Sequence, residues 1–318
     1  MWRHVTKISS LTRAEVHRVL DLALQMKRRP EDYLDVLRQQ SLLMLFEKPS
    51  LRTRVSLETG MTQLGGHALA YMMTDSPLGN KESYEDTGRV LSRFVDALSM
   101  RVKSRDQVLG LARACRIPVL NALDDFAHPM QILADLLTIY EHKCGGDPTT
   151  FATVTLAFVG DCQNNVTYDL MRAGALLGFE VRVAGPKELP IESEVINECR
   201  VLGKIPYVVH RVLDAVYGAD IVYTDSWMSY GVKDTERESR LRVLQAFQVT
   251  KEVMRKAKSD ASFMNCLPAM RGEEQTAEVL DGPQSVVFDQ AENRLHVQKA
   301  LLYMLINDDL ENALSKPK

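Results

Sequence analysis

The chain has 318 residues, of which 45% are hydrophobic and 25% charged, and its formal net charge is −3. This composition excludes a disordered or fibrous protein, and at roughly 150 residues per domain the length predicts two domains. Because 39 Lys and Arg residues are outnumbered by 42 Asp and Glu residues, and no basic run occurs, nucleic acid is not an expected partner.

The sequence contains no membrane or export signal. No run of about 18 apolar residues predicts a membrane span, and the N-terminus lacks the apolar core of a signal peptide, so we expect a cytoplasmic location. The five cysteines are scattered without the spacing of a metal or redox site. We therefore expect free thiols and no metal.

Apolar runs of strand length alternate with segments of helical periodicity through the first half of the chain. The predicted strands are 41–46, 67–71, 96–100 and 117–120. The predicted helices are 10–27, 53–64, 84–94, 105–115 and 129–142. This alternation is typical of a parallel sheet with helical crossovers.

Turn-forming residues cluster at 144–150, where we place a domain boundary, and the same alternation then restarts. The predicted strands of the second half are 154–161, 180–184, 220–223, 262–265 and 285–288. The fold class is therefore α/β, with two domains of similar size that each contain a mostly parallel sheet flanked by helices. Ligands are expected at the carboxyl ends of the strands.

Three cations and two hydroxyls are concentrated in residues 47–54, directly after the first predicted strand and where a helix should begin. The N–H groups of a helix start, the hydroxyls of Ser50 and Thr53 and the planar guanidinium of Arg52 suit a phosphate. A capped, solvated helix start is the alternative interpretation of this segment.

A second segment, residues 126–135, places His128, Gln131 and Asp135 on one helix face, with Pro129 suited to the first turn. Taken alone, His128 could be a helix cap or a half-buried core residue. Beside the arginine cluster it could instead polarise a carbonyl oxygen next to the phosphate.

Together these segments resemble the aspartate/ornithine carbamoyltransferase family, and in detail its ornithine-specific members. The match runs almost end to end and includes residues 50–54, 128–135, 160–165, 225–231, 266–269 and 291–294. The resemblance implies a carbamoyl phosphate-binding domain at 1–143 plus 291–318 and an ornithine-binding domain at 151–290. A final helix, 291–312, would return to the first domain.

The resemblance also implies a set of residues for each substrate. The carbamoyl phosphate set is Ser50, Leu51, Arg52, Thr53, Arg101, His128, Gln131, Cys266, Leu267 and Arg294. The ornithine set is Asn165, Asp225, Ser229 and Tyr230, and the catalytic residues would be Arg101, His128, Asp225 and Cys266. Taken alone, Cys266 could be a small buried hydrophobe and Asp225 a loop cap.

Each arginine and donor has a role in this scheme. Arg52, Arg101 and Arg294 would neutralise the phosphate, and Arg101, with Thr53 and His128, would surround the carbonyl oxygen. Gln131 and the main-chain carbonyls of 266–267 would hold the carbamoyl NH2 group. Carbamoyl phosphate is already activated, so the resemblance implies no cofactor.

The implied reaction joins the carbamoyl group to the side-chain amine of L-ornithine, giving citrulline and phosphate in arginine biosynthesis or the reverse catabolic route. Three residues depart from the pattern of the ornithine enzymes: Tyr230 stands where Met is usual, Asn265 where His is common, and Pro77 where bacterial members often have Gln. N-acylated ornithine, putrescine and other diamino acids therefore stay open as acceptors, whereas aspartate is disfavoured.

A non-catalytic ligand-binding homologue is the remaining alternative, and the intact set of charge-stabilising residues argues against it. The family resemblance further implies a homotrimer, in which the loop near residues 75–83 reaches a neighbouring subunit's site.

Overall fold

A computed structural model describes residues 3–75, 81–228 and 234–307 of the chain. It divides into two compact units, unit 1 (Met1–Leu137 with Glu292–Lys318) and unit 2 (Thr138–Ala291). The predicted Pro77 loop and the predicted ornithine-site residues Ser229 and Tyr230 lie outside the described residues.

Unit 1 is built on a parallel sheet. Its strands are β1 (Ser41–Phe46), β2 (His67–Met72), β3 (Ala97–Arg101) and β4 (Val119–Leu123), in the order β2-β1-β3-β4. Its helices are α1 (Arg13–Arg28), α2 (Leu51–Gln63), α3 (Tyr84–Leu91) and α4 (Arg105–Ala114). Strands β1, β3 and β4 are largely buried because helices cover a parallel sheet on both faces.

Local chemistry explains where the first helix begins. Thr12 accepts a hydrogen bond from the backbone N–H of Glu15 at 3.3 Å, and the Glu15 carboxylate accepts one from the Thr12 N–H at 2.6 Å. This reciprocal pair satisfies two N–H groups that a helix start leaves without intrahelical partners.

Unit 2 repeats the architecture with a parallel sheet in the order β7-β6-β5-β8-β9. Its strands are β5 (Thr155–Val159), β6 (Glu180–Ala184), β7 (Tyr207–Val209), β8 (Ile221–Tyr223) and β9 (Ser262–Met264). Its helices are α6 (Asn165–Leu177), α7 (Ser193–Leu202), α8 (Val212–Val216), α9 (Arg237–Leu244), α10 (Lys251–Met254) and α11 (Ala277–Leu280).

Two further helices, α5 (Pro129–His142) and α12 (Val287–Ile306), each contribute residues to both units. The predicted α/β class is confirmed, with two parallel sheets, flanking helices and a C-terminal helix that packs in unit 1. None of the described helices is both long and apolar enough to cross a membrane.

The predicted strand at 285–288 is wrong. Ser285 forms only an isolated bridge with Phe263, and Val287 already begins α12. A short run of β-branched and aromatic residues does not distinguish a strand from the buried first turn of a helix. Conversely, no sequence pattern indicated β7, which has three residues and lies at the edge of its sheet.

Candidate functional site

In each sheet the strand order reverses between two central strands, and the predicted site residues follow those strands. In unit 1 the reversal lies between β1 and β3, where Phe46 is paired with Arg101. In unit 2 it lies between β5 and β8. Loops that leave neighbouring strands in opposite directions open a crevice at that point, which explains why these positions carry polar side chains.

In unit 1, helix α2 begins directly after Ser50. Ser50 is the N-cap residue, yet its hydroxyl makes no hydrogen bond to the helix. Arg52 is exposed, whereas Thr53 is 1% exposed. The segment thus presents a hydroxyl that does not cap the helix and an exposed cation at a helix start, which suits a phosphate group.

Arg294 on α12 joins Thr53 to α5. Its guanidinium donates to the Thr53 hydroxyl at 3.1 Å and to the Gln131 amide oxygen at 2.7 Å. The Gln131 amide nitrogen in turn donates to Asp135 at 2.9 Å. All four side chains are buried, so this network fixes a cation, a hydroxyl and an amide in one arrangement.

His128 lies immediately before α5 and is 4% exposed. Burial, together with the positive charges of Arg294 and Arg101, holds the pKa of His128 well below its usual value. The imidazole is therefore neutral near pH 7 and offers one N–H donor and one acceptor nitrogen. A neutral donor can polarise a carbonyl oxygen without placing another cation among the arginines.

In unit 2, Asp225 and Cys266 follow β8 and β9 and meet directly. The Cys266 thiol donates to the Asp225 carboxylate at 3.0 Å, and the Ser226 N–H donates to the same oxygen at 2.7 Å. Burial raises the pKa of Asp225 and the charge of Asp161 adds to that effect, while the two hydrogen bonds oppose it. Asn165, the first residue of α6, is also buried.

Asn265, which is fully buried, stabilises the loop that carries Cys266. Its amide oxygen accepts from the Leu267 N–H at 2.8 Å, and its amide nitrogen donates to Gln275 at 3.1 Å. Gln290 supports the same loop by accepting from the Asn265 N–H at 3.0 Å. Leu267 has a left-handed φ of 55°, which an L-residue adopts only when its surroundings enforce it.

Arg240 is a second residue that supports the site in unit 2, and the sequence did not predict this role. Arg240 on α9 forms a buried ion pair with Asp161, and its Nε donates to the carbonyl oxygen of Trp227 at 3.2 Å. It therefore ties the loop after β5 to the loop after β8. Asp161 and Arg240 are 79 residues apart in the chain. A local sequence pattern does not predict an ion pair between residues so far apart.

The structure thus brings the predicted residues together as two separate sets. Thr53, Gln131 and Arg294 are hydrogen-bonded to each other within unit 1, and Arg294 and Arg101 both act on the His128 pKa. Asp225 and Cys266 are hydrogen-bonded within unit 2. Among the described residues, no group of three or more His, Cys, Asp or Glu side chains could hold a metal ion.

Two family models cover most of the chain. Residues 3–141 match the carbamoyl-P binding domain of aspartate/ornithine carbamoyltransferase, and residues 152–305 match its Asp/Orn binding domain.

Curated relatives and solved structures agree with those models. The catabolic ornithine carbamoyltransferase of Halobacterium salinarum is 44% identical over 96% of this chain and 99% of its own length. The ornithine carbamoyltransferase of Archaeoglobus fulgidus is 43% identical over 97% and 99%, respectively. The ornithine transcarbamoylase structure from Giardia lamblia superposes with a TM-score of 0.88 at 43% identity, covering 96% of this chain and 98% of that one. The chain therefore belongs to the aspartate/ornithine carbamoyltransferase family of enzymes.

Proposed function

We propose that the protein transfers the carbamoyl group of carbamoyl phosphate to the side-chain amine of L-ornithine, forming citrulline and phosphate. The observation that carries this proposal is the buried network in which Arg294 holds Thr53 and Gln131 beside the neutral His128. It combines a cation for phosphate with uncharged hydrogen-bonding groups for a carbamoyl group. The names of the relatives support ornithine as the acceptor.

In this scheme the side-chain nitrogen of ornithine attacks the carbonyl carbon, and negative charge develops on the carbonyl oxygen. Thr53, Arg101 and His128 donate hydrogen bonds to that oxygen. The new N–C bond forms, the C–O bond to phosphate breaks, and the attacking nitrogen gives up one proton to the departing phosphate. Arg52, Arg101 and Arg294 neutralise the charge of that phosphate. Ser50 and the N–H groups at Leu51 and Thr53 bind the phosphate at the start of α2.

Gln131 and the main-chain carbonyls of Cys266 and Leu267 hold the carbamoyl NH2 group, which needs acceptors. No cofactor is required, because catalysis consists of positioning and charge stabilisation.

The acceptor is bound by the residues of unit 2. Asp225 and Asn165 bind the α-amino group, with Ser229 and Tyr230 completing the site, and the Cys266 thiol lies beside the attacking nitrogen. Only the neutral amine can attack, and a free ammonium has a pKa of about 10. Because Asp225 and Asn165 are buried, desolvation disfavours the charged ammonium, and the bound amine releases its proton to solvent before it attacks.

A panel of acceptors tests the substrate. Ornithine should exceed putrescine, lysine and N-acetylornithine in kcat/KM by at least about tenfold, or roughly 1.4 kcal/mol. Tyr230→Met should change the ornithine KM only modestly, because Asp225 and Asn165 provide most of the proposed grip on the α-amino group. If another amine wins, the ornithine assignment fails while carbamoyl transfer stands. If no amine is carbamoylated, the enzymatic proposal itself fails.

We also propose a cytoplasmic homotrimer. The edge strand β2 supports an interface, because Leu69, Tyr71 and Met72 are each about 40% exposed or more, on a strand paired on one side only. Sedimentation equilibrium should give about three times the chain mass of 35.9 kDa. An active monomer would contradict this assembly.

We assign the two substrates to residues 1–143 plus 291–318 for carbamoyl phosphate and residues 151–290 for ornithine. The residues named for each substrate support this division, except that Cys266 and Leu267 lie within 151–290 and are assigned to carbamoyl phosphate.

A further inference from the structure

Unit 2 contains a cavity of about 300 Å³, and its lining includes none of the residues assigned to the two substrates. It lies at the carboxyl ends of β6 and β7, to one side of the β5–β8 crevice. Its lining includes Cys162, Lys187, Ile191, Ile196, Val208 and His210. The volume is that of about ten water molecules and falls at the small end of the range for ligand sites.

The walls of the cavity are mainly aliphatic. Ile191 and Ile196 come from the segment that leads into α7 and from α7 itself, and Val208 comes from β7. Pro190 lines the cavity next to Ile191, and its ring fixes the local backbone. Such walls favour a ligand with a compact apolar body, because burying it removes apolar surface from water.

Two polar groups interrupt this apolar lining. Lys187 is exposed, and within residues 3–75, 81–228 and 234–307 its ammonium makes no ion pair. His210 Nδ1 lies 2.9 Å from the carbonyl oxygen of Gly185. A carbonyl can only accept, so Nδ1 carries the proton of this hydrogen bond.

The charge of the lining favours an anionic ligand. None of the described lining residues is acidic, although Glu188 follows Lys187 in the chain. A carboxylate on the ligand would meet the Lys187 ammonium while the apolar body enters between the aliphatic walls.

A nucleotide does not fit these surroundings. Sheets with this strand order bind dinucleotide phosphates on a glycine-rich turn after the first strand. Here that turn carries Asp161, which is buried and paired with Arg240. The Asn164 side chain accepts from the Thr167 N–H at 2.8 Å and so occupies the start of α6. Both features disfavour a pyrophosphate on this turn, and the volume of about 300 Å³ suits a small molecule.

The base of the cavity packs directly on the loop that carries Asn165. A Cβ added at Gly185 would lie 2.7 Å from the Cys162 sulfur and 2.8 Å from the Gly160 oxygen, so no space separates them. Gly160 in turn packs against the indole of Trp227, since a Cβ there would lie 3.1 Å from the indole nitrogen. A ligand that presses on Cys162 therefore acts on both loops of the acceptor site.

We propose that this cavity is an effector site for a small carboxylate with an apolar body, and that its occupancy is transmitted through Cys162 and Gly160 to Trp227. The proposal goes beyond the carbamoyl transfer reaction and does not depend on it, because binding is measured without either substrate.

The test uses the full chain and three probes: isovalerate, its uncharged isostere isovaleramide, and leucine. Calorimetry measures binding, and tryptophan emission measures transmission. The chain has two tryptophans, so a Trp2→Phe background leaves Trp227 as the single emitter. We expect saturable isovalerate binding with a change in emission, and affinity for isovalerate at least about tenfold above that for isovaleramide. Tighter binding of leucine than of isovalerate would also support a carboxylate site and would identify an amino acid as the effector.

Matched variants locate the binding. Lys187→Ala should remove the preference for isovalerate over isovaleramide, whereas Lys256→Ala, another exposed lysine of unit 2, should keep it. Ile196→Trp fills the cavity and should abolish binding, whereas Val201→Trp, on the same helix but 88% exposed, should not.

Three results would overturn the proposal. The first is no saturable binding of any probe, and the second is a preference for isovalerate that survives Lys187→Ala. The third is heat of binding with no change in Trp227 emission, which would remove the link to the acceptor loops. Because Lys187 is exposed, its variant tests the proposal even if Ile196→Trp does not fold.

Discussion

The two sets of site residues differ in the charge that each one buries. In unit 1 the groups that face the substrate are cations, hydroxyls and amides around a neutral imidazole, and the buried Asp135 carboxylate supports them by accepting from Gln131. In unit 2 they are a carboxylate and a thiol that share a hydrogen bond. A cationic set suits an anion with a phosphate, and an acidic set suits an amine. The two units share one α/β architecture, and the difference indicates that each unit is specialised for a substrate of a different charge.

The largest expected effect on kcat/KM comes from replacing Arg52, a cation of unit 1 that is not expected to contribute to stability. Arg52 is exposed and makes no ion pair among the described residues, so Arg52→Ala should leave thermal stability unchanged. It should lower kcat/KM by about a thousandfold, or roughly 4 kcal/mol, because a charged fork on the phosphate is lost. Steady-state kinetics and a melting curve measure the two quantities.

Arg54→Ala is the matched control. Arg54 is also exposed and belongs to the same helix, but its Nε pairs with Glu58 at 2.9 Å, one turn along. Its loss should change kcat/KM little. Near wild-type activity in Arg52→Ala would remove Arg52 from the phosphate site.

A smaller effect is expected when a residue of unit 2 that stabilises the Cys266 loop is replaced. Asn265→Ala leaves the Leu267 N–H and the Gln275 amide oxygen without their partner. It should lower the free energy of unfolding by about 2–3 kcal/mol, because buried polar groups lose hydrogen bonds. Urea unfolding measures this, with Asn197→Ala on the exposed side of α7 as the control. Equal stabilities of the two variants would show that the Asn265 network contributes nothing to folding.

The smallest effect concerns acid stability. The folded chain keeps His128 neutral because burial and Arg294 and Arg101 lower its pKa, whereas the unfolded chain protonates it at about pH 6.5. The unfolded state therefore binds more protons below that pH, and stability is lost as pH falls through it. When the pH falls from about 7.5 to about 5.5, the free energy of unfolding of the wild type should decrease by about 1 kcal/mol more than that of His128→Gln.

Urea unfolding at both pH values checks the sign. His67→Gln, a substitution at an exposed histidine of the same unit, should follow wild type. A His128→Gln variant with unchanged pH dependence would mean that His128 is not held neutral in the folded chain.

Much of the fold followed from the sequence, because strands buried on both faces are continuous apolar runs. The strands at Ser41–Phe46 and Glu180–Ala184 have the predicted bounds. The wrong strand and the missed strand occur where apolar content and burial on both faces do not coincide. Residues 285–288 resemble a strand but lead into α12, and β7 is a short edge strand whose first two residues are exposed.

The site was predictable where its residues follow strands in the chain, as Arg101, Asp225 and Cys266 do. The contacts between distant segments were not. Arg294 reaches Thr53 across 241 residues, and Arg240 reaches Asp161 across 79. Asn265 shows the same limit, because its sequence position beside Cys266 gave no indication that its side chain points into a buried network with Gln275.

The division of charge between the units is tested most directly by calorimetric titration of a phosphonate mimic of carbamoyl phosphate. The titration compares wild type, Arg52→Ala and Asp225→Asn. We expect Arg52→Ala to weaken binding of the mimic by at least about tenfold, whereas Asp225→Asn should leave its Kd within about twofold of wild type. If Asp225→Asn weakens binding of the mimic as much as Arg52→Ala does, the two sets of residues do not serve separate substrates.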